Sequence, residues 1–232
     1  MKSLMWFRND LRMDDNPALR EACKSSDEVH AVYIYSQNQN KKHNEANCKT
    51  EFFIENLKVL ESDLSNINIP LNIINSEGFR DNSEVISNYV QNHSLNKVFW
   101  NNQFGIDENE RDVSVQNYLK GKNIEFENFD EQVVFAPGSI LTGEGKPYSV
   151  FTPFKRRWIE NFNLDLLDIE FEYTKKNTTK IKSNLHEFDF QFKKNNQVDM
   201  SLWPAGEAEA LSRLETYLDK NIFRYAQDRN DP

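Results

Sequence analysis

Leu4-Met5-Trp6-Phe7-Arg8-Asn9-Asp10-Leu11-Arg12-Met13-Asp14-Asp15-Asn16-Pro17-Ala18-Leu19 is the stretch that decides the fold of this chain. Residues 4–7 form an apolar run with the length and bulk of a buried strand. The run breaks into a loop of alternating charge: Arg8, Asp10, Arg12, Asp14. Asn16 then offers a side-chain oxygen to the first free amides of a helix, and Pro17 brings a φ already set for its first turn. Ala18, Leu19, Ala22 and Cys23 give that helix one apolar face. The order strand, charged loop, helix concentrates charge at the strand's carboxyl end, where α/β sheets collect ligands. The loop lacks the G-x-G-x-x-G spacing that lets a pyrophosphate approach the backbone, which disfavours ordinary dinucleotide binding.

The alternation continues outward from there. A second strand is predicted at 30–36, followed by a polar connection at 37–47 rich in Asn and Lys. Phe52, Phe53, Leu57, Leu60 and Leu64 predict one core stripe on a helix. A third strand at 71–74 follows Pro70, and Val85, Ile86, Tyr89 and Val90 mark the next helix. A fourth strand at 97–101 leads through a loop to a helix carrying Val113, Val115, Tyr118 and Leu119, and a fifth strand follows at 124–129. Strands alternating with helices imply a parallel sheet covered on both faces. The predicted fold is therefore α/β, a doubly wound five-stranded parallel sheet.

From about Gln132 the alternation stops. Residues 133–138 and 142–147 predict turns, and the Gly143 and Gly145 spacing misses the phosphate-loop pattern because Pro147 stands where Ser or Thr should bind magnesium. Thr152 and Pro153 predict a helix start, as cap and first residue. Weak periodicity over 161–200, with Phe188, Phe190 and Phe192 alternating, predicts a connecting segment lying partly extended on the surface. An amphipathic helix with Ala210, Leu211, Leu214 and Leu218 comes next. The partition expected is an α/β domain at 1–160, a connection at 161–200, and the beginning of a helical domain at 201–232.

The 232 residues carry a net charge of −9, with 38% hydrophobic, 28% charged and 12% aromatic residues, a globular composition too aromatic for disorder. The acidic balance argues against this stretch itself gripping a nucleic-acid backbone. Cys23 and Cys48 show no paired spacing and read as free thiols of a cytoplasmic protein. No apolar run approaches the roughly 20 residues that span a bilayer, and no leader pattern precedes Trp6.

Conventional catalytic signals are missing. His30, His43, His93 and His186 are scattered without partners at metal-ligand spacing. Asp14-Asp15 and Asp130-Glu131 are adjacent carboxylates, which as sequence neighbours rarely face one another, and are expected to be caps or solvated surface.

Trp6-Phe7-Arg8-x-Asp10-Leu11-Arg12-x-x-Asp15-Asn16-x-Ala18-Leu19 closely resembles the amino-terminal signature of the DNA photolyase/cryptochrome family. The resemblance recurs at Trp100-Asn101-Asn102-Gln103-Phe104-Gly105-Ile106-Asp107-Glu108-Asn109-Glu110-Arg111-Asp112 and at Tyr148-Ser149-Val150-Phe151-Thr152-Pro153-Phe154-Lys155. It recurs again at Trp203-Pro204-Ala205-Gly206-Glu207 and at Tyr225-x-x-x-Arg229, so it covers nearly the whole chain.

The resemblance implies a Rossmann-like antenna domain belonging to a light-driven repair enzyme that splits cyclobutane pyrimidine dimers with an electron from reduced FAD. It implies Asp107 and Glu108 as contacts to a 5,10-methenyltetrahydrofolate antenna, with a deazaflavin or flavin mononucleotide, or no antenna, as alternatives. The family more often has Asn where this chain has Asp107, which puts one folate hydrogen bond in question. Helix capping is the other role open to Asp107. Tyr225 matches a residue that contacts FAD, and Arg229 one at the DNA-facing edge of the flavin site. The catalytic residues would lie outside this chain, which then reads as the amino-terminal part of a monomeric enzyme whose partner is UV-damaged DNA. A cryptochrome-like photosensor and a free-standing nucleotide-binding module are the alternatives.

Overall fold

β1 (Lys2–Phe7) lies at the centre of a five-stranded, all-parallel sheet with β2 (Glu28–Tyr35), β3 (Leu71–Asn75), β4 (Lys97–Asn101) and β5 (Glu125–Phe129). The strand order is β3-β2-β1-β4-β5, so the chain winds outward to β3, returns to the far side of β1, and winds outward again. The computed structural model describes residues 1–164, 171–178, 182–192 and 198–230. Three parts of the predicted connection, at 165–170, 179–181 and 193–197, and the final Asp231-Pro232 lie outside the described residues.

Side chains alternate across a strand, and β1 uses both faces. Met5 and Phe7 pack with Leu19, Leu57, Leu60 and Leu64 on one side, beneath α1 (Pro17–Ser25) and α3 (Asn47–Asn66). Leu4 and Trp6 pack with Ile86, Val90, Val115 and Leu119 on the other, beneath α4 (Asn82–Asn92) and α5 (Ile106–Gly121). The doubly wound architecture is therefore as predicted. Helix α1 begins as its sequence dictates: Asn16 Oδ1 accepts from the Leu19 amide at 3.1 Å, Pro17 opens the first turn, and Ala18, Leu19, Ala22 and Cys23 are buried. Burial pushes the Cys23 thiol up to about 12, and both cysteines are free.

Several expectations are corrected. Residues Gln37–Lys42 form a short helix, α2, where a polar connection was expected; Ser36 caps it, and none of its side chains is buried. Phe52 lies off the core stripe of α3 and is exposed, while Ile54 takes the buried position. Val113 and Tyr118 of α5 are likewise exposed. Helix α6 (Phe151–Asn161) begins before Thr152, with Val150 at its cap position and no side-chain cap, so Pro153 falls inside the first turn.

The described parts of the connection contribute to the core. Asn177 is buried; its Oδ1 accepts from the Val29 amide at 2.9 Å and its Nδ2 donates to the Val29 and Asn68 carbonyls at 2.9 and 2.7 Å. Pairing between β2 and β3 begins only at Ala31, so Asn177 supplies the hydrogen bonds that a neighbouring strand would have given Val29. Asn184 does the same for Ile73 on edge strand β3, at 2.7 and 2.9 Å, which covers an edge that would otherwise template pairing. Leu185 is buried in the same core, and Phe188 and Phe190 pack edge-on against Tyr35.

Farther on, α7 (Glu207–Thr216) is anchored by its first residue. Glu207 Oε2 accepts from the Met13 and Asp14 amides at 3.1 and 3.4 Å, and the Gly206 amide donates to Asn56 Oδ1 at 3.0 Å. Gly206 has φ +106°, and a β-carbon there would stand 3.0 Å from Val59. Its Leu211 and Leu214, with Leu218 beyond its end, are exposed. Among the described residues no helix is long and apolar enough to cross a membrane.

Candidate functional site

The reversal of winding falls between β1 and β4, and α/β sheets bind ligands outside the carboxyl ends of strands at such a switch point. A cavity of about 220 Å³ opens beside it, over the carboxyl ends of β1 and β2. Trp6 and Arg8 close it from the end of β1, Tyr33 and Tyr35 from β2, Gln103, Glu108 and Arg111 from the loop after β4 and the first turns of α5.

Its floor is ionic. Asn101, the last residue of β4, donates through Nδ2 to Asp10 Oδ2 at 2.6 Å and to Asn16 Oδ1 at 2.8 Å, and its Oδ1 accepts from the Ala18 amide at 3.2 Å. Asp10 Oδ1 accepts from the Arg8 amide at 2.7 Å. The charged loop thus folds on its own carboxylate and on the end of β4. Asp112 Oδ1 accepts from Arg111 Nε at 2.9 Å, Arg111 Nη2 at 2.7 Å and Arg8 Nη1 at 3.4 Å. Arg111 Nη2 also donates to Gln103 Oε1 at 2.9 Å. Arg8, Arg111 and Asp112 are all buried, and both guanidinium groups lie over the Trp6 ring, at 4.6 and 4.9 Å from its centroid. Burial draws the Arg8 pKa down to about 10, against the upward pull of Asp112. Arg8 Nε and Nη2 find no hydrogen-bond partner among the described residues.

Asp107 and Glu108, predicted as a pair, are consecutive on α5 and diverge. Glu108 lines the cavity, with its carboxylate folded back over Gly105 so that any side chain at 105 would collide with it. Asp107 faces a separate surface cleft, 3.2 Å from Lys42 Nζ and 3.2 Å from His43 Nε2. The hydrogen bond and charge of Lys42 hold its carboxyl below the usual range. The cap of α5 is Gly105, so Asp107 stands in the first turn without capping it. Tyr225 and Arg229 lie one helical turn apart, at Tyr225–Asp228 and just after it, both exposed and neither on the cavity wall.

Glu131, expected on the solvated surface or as a cap, has its side chain buried and pairs with Arg12 Nη2 at 2.6 Å. Its neighbour Asp130 is exposed and accepts from Asn102. His30 is held between Tyr89 Oη and Glu28, each at 3.2 Å, and no group of metal-ligating side chains occurs among the described residues. The sequence reading assigned no role to Arg8, Asp10, Asn101, Gln103, Arg111 or Asp112. Charged residues are mostly exposed, and of these only Arg8 and Asp10, in the charged loop after β1, stand where the pattern marks them; Arg111 and Asp112 lie within α5. The site offers aromatic walls, carboxylate acceptors and guanidinium donors in a partly open cleft, a chemistry suited to holding a flat polar ligand.

Comparison with known proteins agrees with the fold. The family model for DNA photolyase matches residues 3–187. The deoxyribodipyrimidine photo-lyases of Salmonella typhimurium and Escherichia coli are each 30% identical over 230 residues, covering 99% of this chain and 48% of the relative. The chain thus spans about half the length of the curated relatives it matches. Among solved structures, a class III photolyase from Agrobacterium tumefaciens shares the fold with a TM-score of 0.74 at 22% identity, over 94% of this chain and 44% of its own. An archaeal photolyase from Sulfolobus tokodaii, solved with two FAD molecules, gives 0.69 at 21% identity over 92% and 46%.

Proposed function

Because this chain belongs to the DNA photolyase family, we propose that it is the antenna-holding amino-terminal part of a deoxyribodipyrimidine photo-lyase. The observation that carries the reading is the cavity beside the β1/β4 switch point, with the Glu108 carboxylate on its wall and the Trp6 ring at its base. Glu108 is the residue to hold the antenna, 5,10-methenyltetrahydrofolate. A pterin edge presents N–H donors, and a carboxylate accepts two of them in charge-assisted bonds. The donor and acceptor set on the cavity wall suits that edge, with Tyr33, Tyr35 and Phe79 supplying apolar surface for the ring. Asp107, facing the neighbouring cleft, is at most a peripheral contact to it. Tyr225 is assigned to FAD and Arg229 to the DNA-facing edge of the flavin site. When bound, these pigments supply light capture and the electron that splits a cyclobutane dimer.

In this reading the 232 residues orient the antenna and exclude water from it, and the strong backbone contact to UV-damaged DNA is made elsewhere. A net charge of −9 favours no such contact here. The protein acts as a cytoplasmic monomer. The test is to incubate the whole gene product with a thymine-dimer oligonucleotide and reduced FAD, in near-ultraviolet light and in darkness. Light-dependent loss of dimer by the whole product, with none by the 232 residues alone, is the expected result. Flavin binding by the whole product without repair would overturn the assignment in favour of a photosensor.

A further inference from the structure

We propose that α2 and the turn after it, residues 37–46, form a lid over the switch-point cavity and that Asp107 is its latch, an inference that rests on reading this cavity as the antenna site. Small-molecule sites usually enclose about 300–1,000 Å³, and the cavity measures about 220 Å³. A ligand of cofactor size is therefore enclosed in it only if part of the wall moves.

The wall contributed by residues 39–45 is the part built to move. Gln39, Asn40, His43 and Glu45 line the cavity from above, yet α2 buries no side chain in the core. A helix of six residues without an apolar face has little stability of its own. Elements with few buried contacts open at low free energy. What holds α2 down is polar: Asn40 hydrogen-bonds the Tyr35 hydroxyl inside the cavity, and the other contacts are peripheral. Gln37 Nε2 donates to the Gln191 carbonyl, Asn38 Nδ2 donates to Glu77 Oε2 at 2.7 Å, and Lys42 and His43 meet Asp107, each at 3.2 Å. Asn44, at φ +52°, turns the chain sharply just beyond the helix.

The Lys42 and Asp107 side chains are 65% and 37% exposed. Such a pair is weak and screened by salt, as a latch that must release requires. Asp107 therefore acts on access to the cavity, and Glu108, one residue on, acts on what is inside it.

Hydrogen exchange of the intact chain, read by mass spectrometry, tests this. Asp107→Ala and Lys42→Ala should each speed exchange of the amides at 37–46 by about two- to fivefold, leaving β1 and β2 unchanged. Raising salt should do the same to the wild type and little to the variants. Stopped-flow mixing with methenyltetrahydrofolate should show association and dissociation both faster in Asp107→Ala, by a similar factor. Unchanged exchange at 37–46 in both variants would overturn the lid. Faster exchange with no folate bound by any variant, wild type included, would retain the lid and refute the antenna reading instead. Glu108→Gln separates the two further: it should weaken binding and leave exchange at 37–46 as in the wild type.

Discussion

Arg8 is the residue on which the site's electrostatics turn. Its backbone amide is engaged by Asp10, but its guanidinium has one long bond to Asp112 and two nitrogens without a partner among the described residues. Arg111, by contrast, spends its donors on Asp112 and Gln103. Asp112 is the shared anion between two buried cations. Removing one partner of a buried ion pair leaves an uncompensated charge and typically costs about 3–5 kcal/mol, whereas replacing a poorly paired charge by an apolar side chain of similar size is often neutral. Asp112→Ala should therefore lower stability by about 3–5 kcal/mol, and Arg8→Met should lower it far less. Urea midpoints of the two variants give the comparison; equal losses would mean that Arg8 is as well paired as Arg111. None of this was legible beforehand, because a sequence shows charge without showing burial. Glu131 misled for the same reason, since only the fold brings Arg12 to it across the sheet's edge.

At the scale of elements, the legible parts were those whose stability is written locally. Residues 4–7 and 98–100 are apolar runs followed by polar residues, and both belong to interior strands. Asn16-Pro17 announces α1 through a cap that works within four residues. The illegible parts depend on partners far along the chain. Helix α2 has no apolar stripe to reveal it, and the Thr152-Pro153 signal misplaced the start of α6 because the backbone turns helical before the cap residue. Asn177 is the sharpest case: one Asn among many in an Asn-rich stretch, it completes the backbone hydrogen bonding of Val29 across 148 residues. Asn177→Ala should leave the Val29 amide and two carbonyls buried without partners and cost about 1–3 kcal/mol. Faster amide exchange confined to Val29 and its β2 neighbours is the accompanying sign. A loss no greater than that of an exposed Asn→Ala, such as Asn92→Ala, would show that solvent replaces those bonds.

For the whole molecule, topology converts a string of βα units into one place where a ligand can sit. The sheet winds both ways from β1, and the cavity lies over the carboxyl ends of β1 and β2, closed on the β4 side by Gln103 and the first turns of α5. The resemblance of the motifs pointed to Asp107 and Glu108 together, with one bond of Asp107 in question; a helix separates consecutive side chains by roughly 100°, and of the two only Glu108 lines that cavity. The measurement that tests the account most directly is a titration of methenyltetrahydrofolate fluorescence against wild type, Glu108→Gln and, as a control on the same helix, Glu110→Gln. A charged hydrogen bond is worth about 1.5–3 kcal/mol when sheltered, and Gln turns one acceptor toward the pterin into a donor facing a donor. Glu108→Gln should bind at least about tenfold more weakly, with Glu110→Gln close to wild type. Equal affinity in all three proteins would contradict the placement of the antenna in this cavity.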